Sequence, residues 1–252
     1  LGASTAEAQE SVGVEIAEAV AEVLNGGRIR NAINMPSIDP KDLESLRPYL
    51  DLCHRLGAFA RQAAKGSVES IKITYFGGIV DVDCVPLTRA VQKGWLSGVV
   101  GDEGVNDVNA PFKIKDLGIK VETIKSSKSV DYNELIEVCT LSNDGDLRSV
   151  RGTLLGMGND PRIVEVDGQA IEVRPVDTLL VVRNVDKPGI VGKLGTMLGD
   201  CAVNIANMSL SRAEEGKWAL TIFELDEEPP ANALQAIEQD EDIQEARVSR
   251  QG

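Results

Sequence analysis

Thr178-Leu179-Leu180-Val181-Val182-Arg183-Asn184-Val185-Asp186-Lys187-Pro188-Gly189-Ile190-Val191-Gly192-Lys193-Leu194 is the stretch from which the fold is read. Its first eight residues form a short, almost continuous apolar run of strand length. Asp186-Lys187-Pro188-Gly189 then opens a helix whose inner face carries Ile190, Val191, Leu194, Met197 and Leu198. Downstream, residues 203–210 and 217–225 read as strands, 230–239 as a second helix and 243–249 as a last strand. The order βαββαβ is the split βαβ arrangement of ferredoxin-like folds.

Upstream, Arg162-Ile163-Val164-Glu165-Val166-Asp167-Gly168 and Ile171-Glu172-Val173 read as a hairpin, because Asp-Gly supplies the positive φ that a two-residue turn needs. Strands are also expected over 67–76, 118–124, 135–141 and 148–154, with helices over 40–64 and 85–94. Residues 98–109 read as a glycine-rich strand or turn region. At the start, Ser4 or Thr5 can cap a helix with apolar positions Val12, Ile16, Ala19, Val20 and Val23, ended by Gly26-Gly27. A helix with one apolar stripe must pack on something else. The fold class is α+β: a terminal helix and linker (1–34), a mixed α/β domain (35–174) and a ferredoxin-like domain (175–252).

The chain has 252 residues, 42% hydrophobic, with 40 acidic against 26 basic side chains and a formal charge of −14. That balance repels a phosphate backbone, so nucleic acid is not an expected partner. No run of 18 apolar residues is present, so no membrane partner is expected and the expectation is a soluble, cytoplasmic protein. Cys53, Cys84, Cys139 and Cys201 are dispersed without C-x-x-C spacing and read as buried thiols, not metal ligands. His54, the one histidine, adjoins Cys53 on a helix, where neighbouring side chains diverge, and reads as structural.

Candidate chemistry gathers at two places. Asp186 can cap the helix, Pro188 suits its first turn and Gly189 lets a ligand approach the free N–H groups, an arrangement suited to an amino acid's carboxylate. Asn184 and Asn204, each a donor and an acceptor, are expected near the same helix mouth. In the middle domain, Arg151, Arg162 and Arg174 flank the hairpin, and Arg162 with Arg174 can seat a carboxylate or phosphate. No dinucleotide fingerprint, P-loop or activated nucleophile is recognised, the Leu155-Gly156-Met157-Gly158-Asn159 glycines being wrongly spaced. The expectation is no catalytic residue, no metal and no cofactor bound by this chain.

Leu1-Gly2-Ala3-Ser4-Thr5-Ala6-Glu7-Ala8-Gln9, Arg30-Asn31-Ala32-Ile33-Asn34-Met35-Pro36, Val105-Asn106-Asp107-Val108-Asn109-Ala110, Ser149-Val150-Arg151-Gly152-Thr153, Val185-Asp186-Lys187-Pro188-Gly189-Ile190-Val191-Gly192 and Val203-Asn204-Ile205-Ala206 follow one another along the chain. In that order they resemble D-3-phosphoglycerate dehydrogenases of the long kind: the segment after the catalytic histidine, the exit from the catalytic domain, the intervening domain and the ACT signature. The resemblance implies a regulatory C-terminal portion of an enzyme that uses NAD to oxidise 3-phosphoglycerate in the first step of serine synthesis. It implies that the catalytic histidine falls one position before Leu1, and that the catalytic domain and its NAD fingerprint precede this chain. It implies L-serine as the effector at ACT interfaces, contacted by Asn184, Asp186 and Asn204, with self-association through the ACT domains into a homo-oligomer. Asn184 departs from the family, which has histidine or tyrosine there. Arg162 and Arg174 match basic residues that bind anions in the intervening domain of some relatives. The alternative is a stand-alone ACT regulatory subunit resembling the small subunit of a serine dehydratase, which residues 1–27 argue against.

Overall fold

In a computed structural model of the chain, residues 5–25, 40–100, 104–128, 130–213 and 216–250 are described. The chain divides into two units, Leu1–Asp39 and Pro40–Gly252. The first contributes α1 (Ala6–Leu24), capped by Thr5, whose hydroxyl accepts the Ala8 N–H at 3.2 Å. No residue of α1 is buried, and Val12, Ile16, Val20 and Val23 of the expected stripe all stand exposed. The Gly26-Gly27 stop, the linker up to Asp39 and the first four residues of the quoted N-terminal motif lie outside the described residues.

The second unit begins with α2 (Pro40–Ala63), β1 (Val68–Gly77), α3 (Val85–Val100), α4 (Ala110–Asp116), β2 (Lys120–Ser126), β3 (Glu134–Ser142), β4 (Leu147–Leu155), β5 (Asp160–Val166) and β6 (Gln169–Val173). The strands form one sheet in the order β2-β1-β3-β4-β5-β6, in which only β1 and β2 run parallel. Asp167 (φ 49°) and Gly168 (φ 79°) make the two-residue turn joining β5 to β6, with Val166 opposite Gln169. Two expectations are corrected. The helix expected to stop at Gly94 runs on to Val100, and a further short helix, α4, occupies a segment assigned no element. Gly94 is a contact point instead of a stop: a Cβ there would lie 1.9 Å from the His54 carbonyl oxygen, and one at Gly57 would lie 2.1 Å from that of Val91. The two glycines let α2 and α3 cross with their backbones touching. Cys53 and Cys84 are buried here, but Cys139 and Cys201 are only half-buried, and all four are free thiols.

The chain continues as β7 (Thr178–Val185), α5 (Ile190–Gly199), β8 (Ile205–Arg212), β9 (Trp218–Leu225), α6 (Ala231–Glu238) and β10 (Ile243–Arg250), with an antiparallel sheet in the order β10-β7-β9-β8. This is the expected ferredoxin-like module, and the whole is α+β. One face of the sheet, through Leu180, Val182, Phe223 and Leu225, packs on Ile190, Leu194 and Leu198 of α5 and Ile237 of α6. Its other face, through Leu179, Val181, Leu220 and Ile222, joins the core of the preceding domain with Leu52, Phe59, Ile163 and Val173. A strand covered on both sides needs apolar residues at successive positions, which is why Leu179 to Val182 do not alternate.

Charged side chains close the rim of this shared core. Arg148 of β4 donates to Asp167 at 3.0 Å and to Glu245 of β10 at 3.2 Å. Arg183 of β7 also reaches Asp167, at 3.2 Å, with its guanidinium 4.3 Å from the centroid of the Trp218 ring. Gln62 of α2 pairs with the Arg250 backbone as another strand would, donating to its carbonyl at 2.6 Å and accepting its N–H at 2.7 Å.

Candidate functional site

The loop after β7 holds the first set of candidates. Asn184 lies on the helix-covered face, fully buried; its Nδ2 donates to the Val185 carbonyl at 2.9 Å and its Oδ1 accepts the Thr221 hydroxyl at 3.1 Å. The expectation that this amide reaches the helix mouth is corrected: the amide is spent inside the sheet, where a buried polar group needs partners. Asp186 is not the cap of α5 either, and Pro188 precedes the helix. The cap is Gly189, in the left-handed region at φ 91°, and no side chain serves the first turn of α5. Only glycine adopts that backbone without strain.

Asp186 faces β8 instead. Its Oδ2 accepts the Arg212 Nε–H at 2.6 Å and its N–H donates to the Lys217 carbonyl at 3.3 Å. Behind it, Lys187 lies 2.6 Å from Asp242, and Lys193 lies 3.1 Å from Asp242 and donates to Asp240 at 2.7 Å. Hydrogen bonds from these lysines hold the Asp240 and Asp242 carboxyls below their usual range. The start of α5 is thereby tied to the turn before β10.

Asn204 is not beside this loop. It precedes β8, its Nδ2 donating to Asp226 at 2.5 Å, whereas Arg212 and Asp186 lie where β8 and β7 end. β8 has eight residues, so its two ends are roughly 25 Å apart at about 3.4 Å per residue, far beyond the length of an amino acid. Within one chain the three residues do not share a ligand.

The second set does converge. Arg162 and Arg174 line one cavity of about 370 Å³, together with Arg55 of α2 and the carboxylates of Asp51, Asp160 and Asp177. Arg174 is committed: its N–H and guanidinium bind both oxygens of Glu224, which is 1% exposed, at 3.0 to 3.2 Å. Arg55 grips Asp51 through Nε at 3.0 Å and the Pro175 carbonyl through Nη1 at 2.6 Å. Three arginines against three lining aspartates, with Glu224 behind, leave no surplus of positive charge. Sequence reasoning missed Arg55 because, four residues after Asp51, it reads as an ordinary helix pair. Arg151 lies elsewhere, paired with Glu137 and Glu165.

Burial pushes the Cys53 and Cys84 thiols up, and burial with Glu137 nearby raises Cys139 to about 11, so these thiols are poor nucleophiles near neutral pH. Among the described residues no cluster of three or more His, Cys, Asp or Glu is arranged to hold a metal, and no helix is long and apolar enough to cross a membrane.

Two α+β domains with one shared core, the second ferredoxin-like with polar residues at the ends of its open edge strand, define the class. Residues 45–167 match the D-3-phosphoglycerate dehydrogenase intervening domain and residues 178–242 the ACT domain, so the chain carries the intervening-plus-ACT unit of D-3-phosphoglycerate dehydrogenases. It is 34% identical to D-3-phosphoglycerate dehydrogenase of Methanocaldococcus jannaschii, over 98% of this chain and 46% of that protein. It is 37% identical to the Synechocystis protein of the same name (94% and 42%) and 32% identical to that of Bacillus subtilis (90% and 42%). The chain thus spans somewhat under half the length of the curated relatives it matches.

Proposed function

We propose that this chain is the regulatory portion of a cytoplasmic, NAD-dependent D-3-phosphoglycerate dehydrogenase that oxidises 3-phosphoglycerate in the first step of L-serine synthesis. NAD and the catalytic residues belong, in this reading, to a catalytic domain preceding this portion. The ACT domains self-associate along β8 and hold L-serine, or a related small effector, between two copies.

The observation that carries the reading is β8. Its outer edge has no strand partner among the described residues, and Met208 and Leu210, on its helix side, are 37% and 40% exposed. Unpaired backbone donors and acceptors beside exposed apolar side chains favour edge-to-edge pairing. An antiparallel pair centred on Met208 keeps the helix-side faces of the two strands aligned and sets Arg212 of one copy opposite Asn204 of the partner subunit. It thereby brings Asp186 of one copy toward Asn204 of the partner subunit, which one chain alone cannot do. An effector seated there biases subunit packing only through its different affinity for the two arrangements, typically about 1 to 3 kcal/mol. For the intervening-domain cavity, anion binding by Arg162 and Arg174 requires loosening Arg174 from Glu224.

Sedimentation velocity tests the self-association. The expected result is a dimer or larger species for the wild-type chain, and at least tenfold weaker association for Met208→Glu/Leu210→Glu with an unchanged circular dichroism spectrum. A wild-type monomer at all concentrations, or an assembly indifferent to both substitutions, would contradict it.

A further inference from the structure

The ion pair between Asp186 and Arg212 is incomplete on both sides. An arginine and a carboxylate commonly meet through two parallel hydrogen bonds, which use up both oxygens and two nitrogens. Here one bond is made, from Nε to Oδ2 at 2.6 Å. Asp186 Oδ1 and both terminal nitrogens of Arg212 have no protein partner among the described residues. The Asp186 side chain is 15% exposed, that of Arg212 70%. The carboxylate is therefore held in place at the sheet end while the guanidinium reaches into solvent beside it.

The other cations of this end are occupied. Lys187 is bound to Asp242 and Lys193 to Asp240 and Asp242, and Lys217 has a partner of its own. Arg212 is the most exposed of the three whose ion pairs are described, and it alone of them keeps open a pair of donors in the planar fork that suits a carboxylate.

We propose that Arg212 is a specificity-determining residue of the ACT site: it binds the carboxylate of an α-amino acid whose ammonium group is taken by Asp186. This rests on the effector reading given above and narrows it to zwitterions. In an α-amino acid one carbon separates the ammonium from the carboxylate, and a monodentate Asp-Arg pair offers one free oxygen and one free donor fork side by side. A ligand with only one of the two charges meets half of the pair and leaves the other half no better partnered than in water. Arg212 also already orients Asp186, so recognition needs no new ordering of the carboxylate, which lowers the entropy lost on binding. The register of β8 adds to this: Arg212, as the last residue of the edge strand, is the residue that an antiparallel partner places nearest to Asn204 of the partner subunit. The same pairing that assembles the site therefore puts Arg212 inside it.

Calorimetric titration of the full chain with L-serine, glycine and the methyl ester of each tests the assignment. Esterification removes the carboxylate charge and keeps the ammonium. The wild-type chain is expected to prefer the free amino acid over its ester by at least about tenfold. In Arg212→Gln that preference should fall to near one, and in Arg212→Lys, which keeps a charge but loses the fork, to an intermediate value. Unchanged thermal melting of both variants establishes that the sheet is intact, as an exposed side chain leads one to expect. Arg212→Gln and Arg212→Lys that retain the wild-type preference, or bind the free amino acid more tightly than wild type, would overturn the role of Arg212 while leaving the effector site standing. A folded wild-type chain that binds neither amino acid would overturn both.

Discussion

Asn184 and Asp186 are two residues apart, and the fold treats them oppositely: one amide is enclosed in the sheet with its partners supplied, the other side chain is left at the sheet end with an oxygen free. Nothing in the spacing separates these fates. The end of β7 decides them, because Asn184 follows Leu180 and Val182 onto the face that α5 covers, whereas Asp186, of the same parity, lies beyond the last paired residue, Val185. Glu245 shows the same dependence on surroundings. Burial raises its carboxyl, but Arg247, Arg148 and Lys65 together outweigh that and hold it below the ordinary range. The folded chain therefore binds this proton less readily than the unfolded chain, whose glutamates titrate near about 4.3. Its stabilising contribution is complete above that value and is lost as the pH falls through the lower, folded one. Chemical denaturation at stepped pH should show stability falling from about pH 5 toward pH 3, with a shallower fall in Glu245→Gln. Identical slopes in the two proteins would mean that the carboxylate is not held by the arginines.

At the scale of elements, the ACT strands and helices were legible because their apolar runs have the right length and are punctuated by Asp-Lys-Pro-Gly and Pro-Pro. Element ends were less so. The helix expected from Asp186 starts at Ile190, because the chain must first turn through Gly189. Gly94 was misleading for a related reason: glycine ends helices by taking a positive φ, but it also lets two helices touch, and only the tertiary structure tells these uses apart. Gly57→Ala is expected to destabilise the chain by about 1 to 3 kcal/mol through overpacking against Val91, outweighing the gain of about 1 kcal/mol in helix propensity. Urea denaturation would show this as a lower midpoint with an unchanged slope. A midpoint at or above wild type would mean that the helices do not touch there. At Gly13 of α1, where nothing lies within 4 Å of the added carbon, the same substitution meets no such obstacle.

For the molecule as a whole, the two domains read from the sequence are distinct in topology but not in their core. A boundary near Arg174-Pro175 was visible as the end of one pattern and the start of another. That Leu179, Val181, Leu220 and Ile222 face the intervening domain was not, since a two-sided strand looks the same whatever covers its second face. The consequence is cooperative unfolding. Trp95 lies in the intervening domain and Trp218 in the ACT domain, so Trp95→Phe and Trp218→Phe each leave a fluorescent reporter of one domain. Both reporters should follow the same denaturation curve as far-ultraviolet circular dichroism, whereas separated transitions would show that the domains do not stabilise each other. The candidate site follows the same logic at larger scale. Asp186 and Asn204 are candidates that the sequence offers, but that they lie toward opposite ends of β8, so that one chain does not bring them together, is a property of strand order. The most direct test of the account is a calorimetric titration of the full chain with L-serine beside Asp186→Ala/Asn204→Ala. It predicts saturable heat in the wild type that vanishes in the folded double variant; equal heat in both, or none in a folded and self-associated wild type, would contradict it.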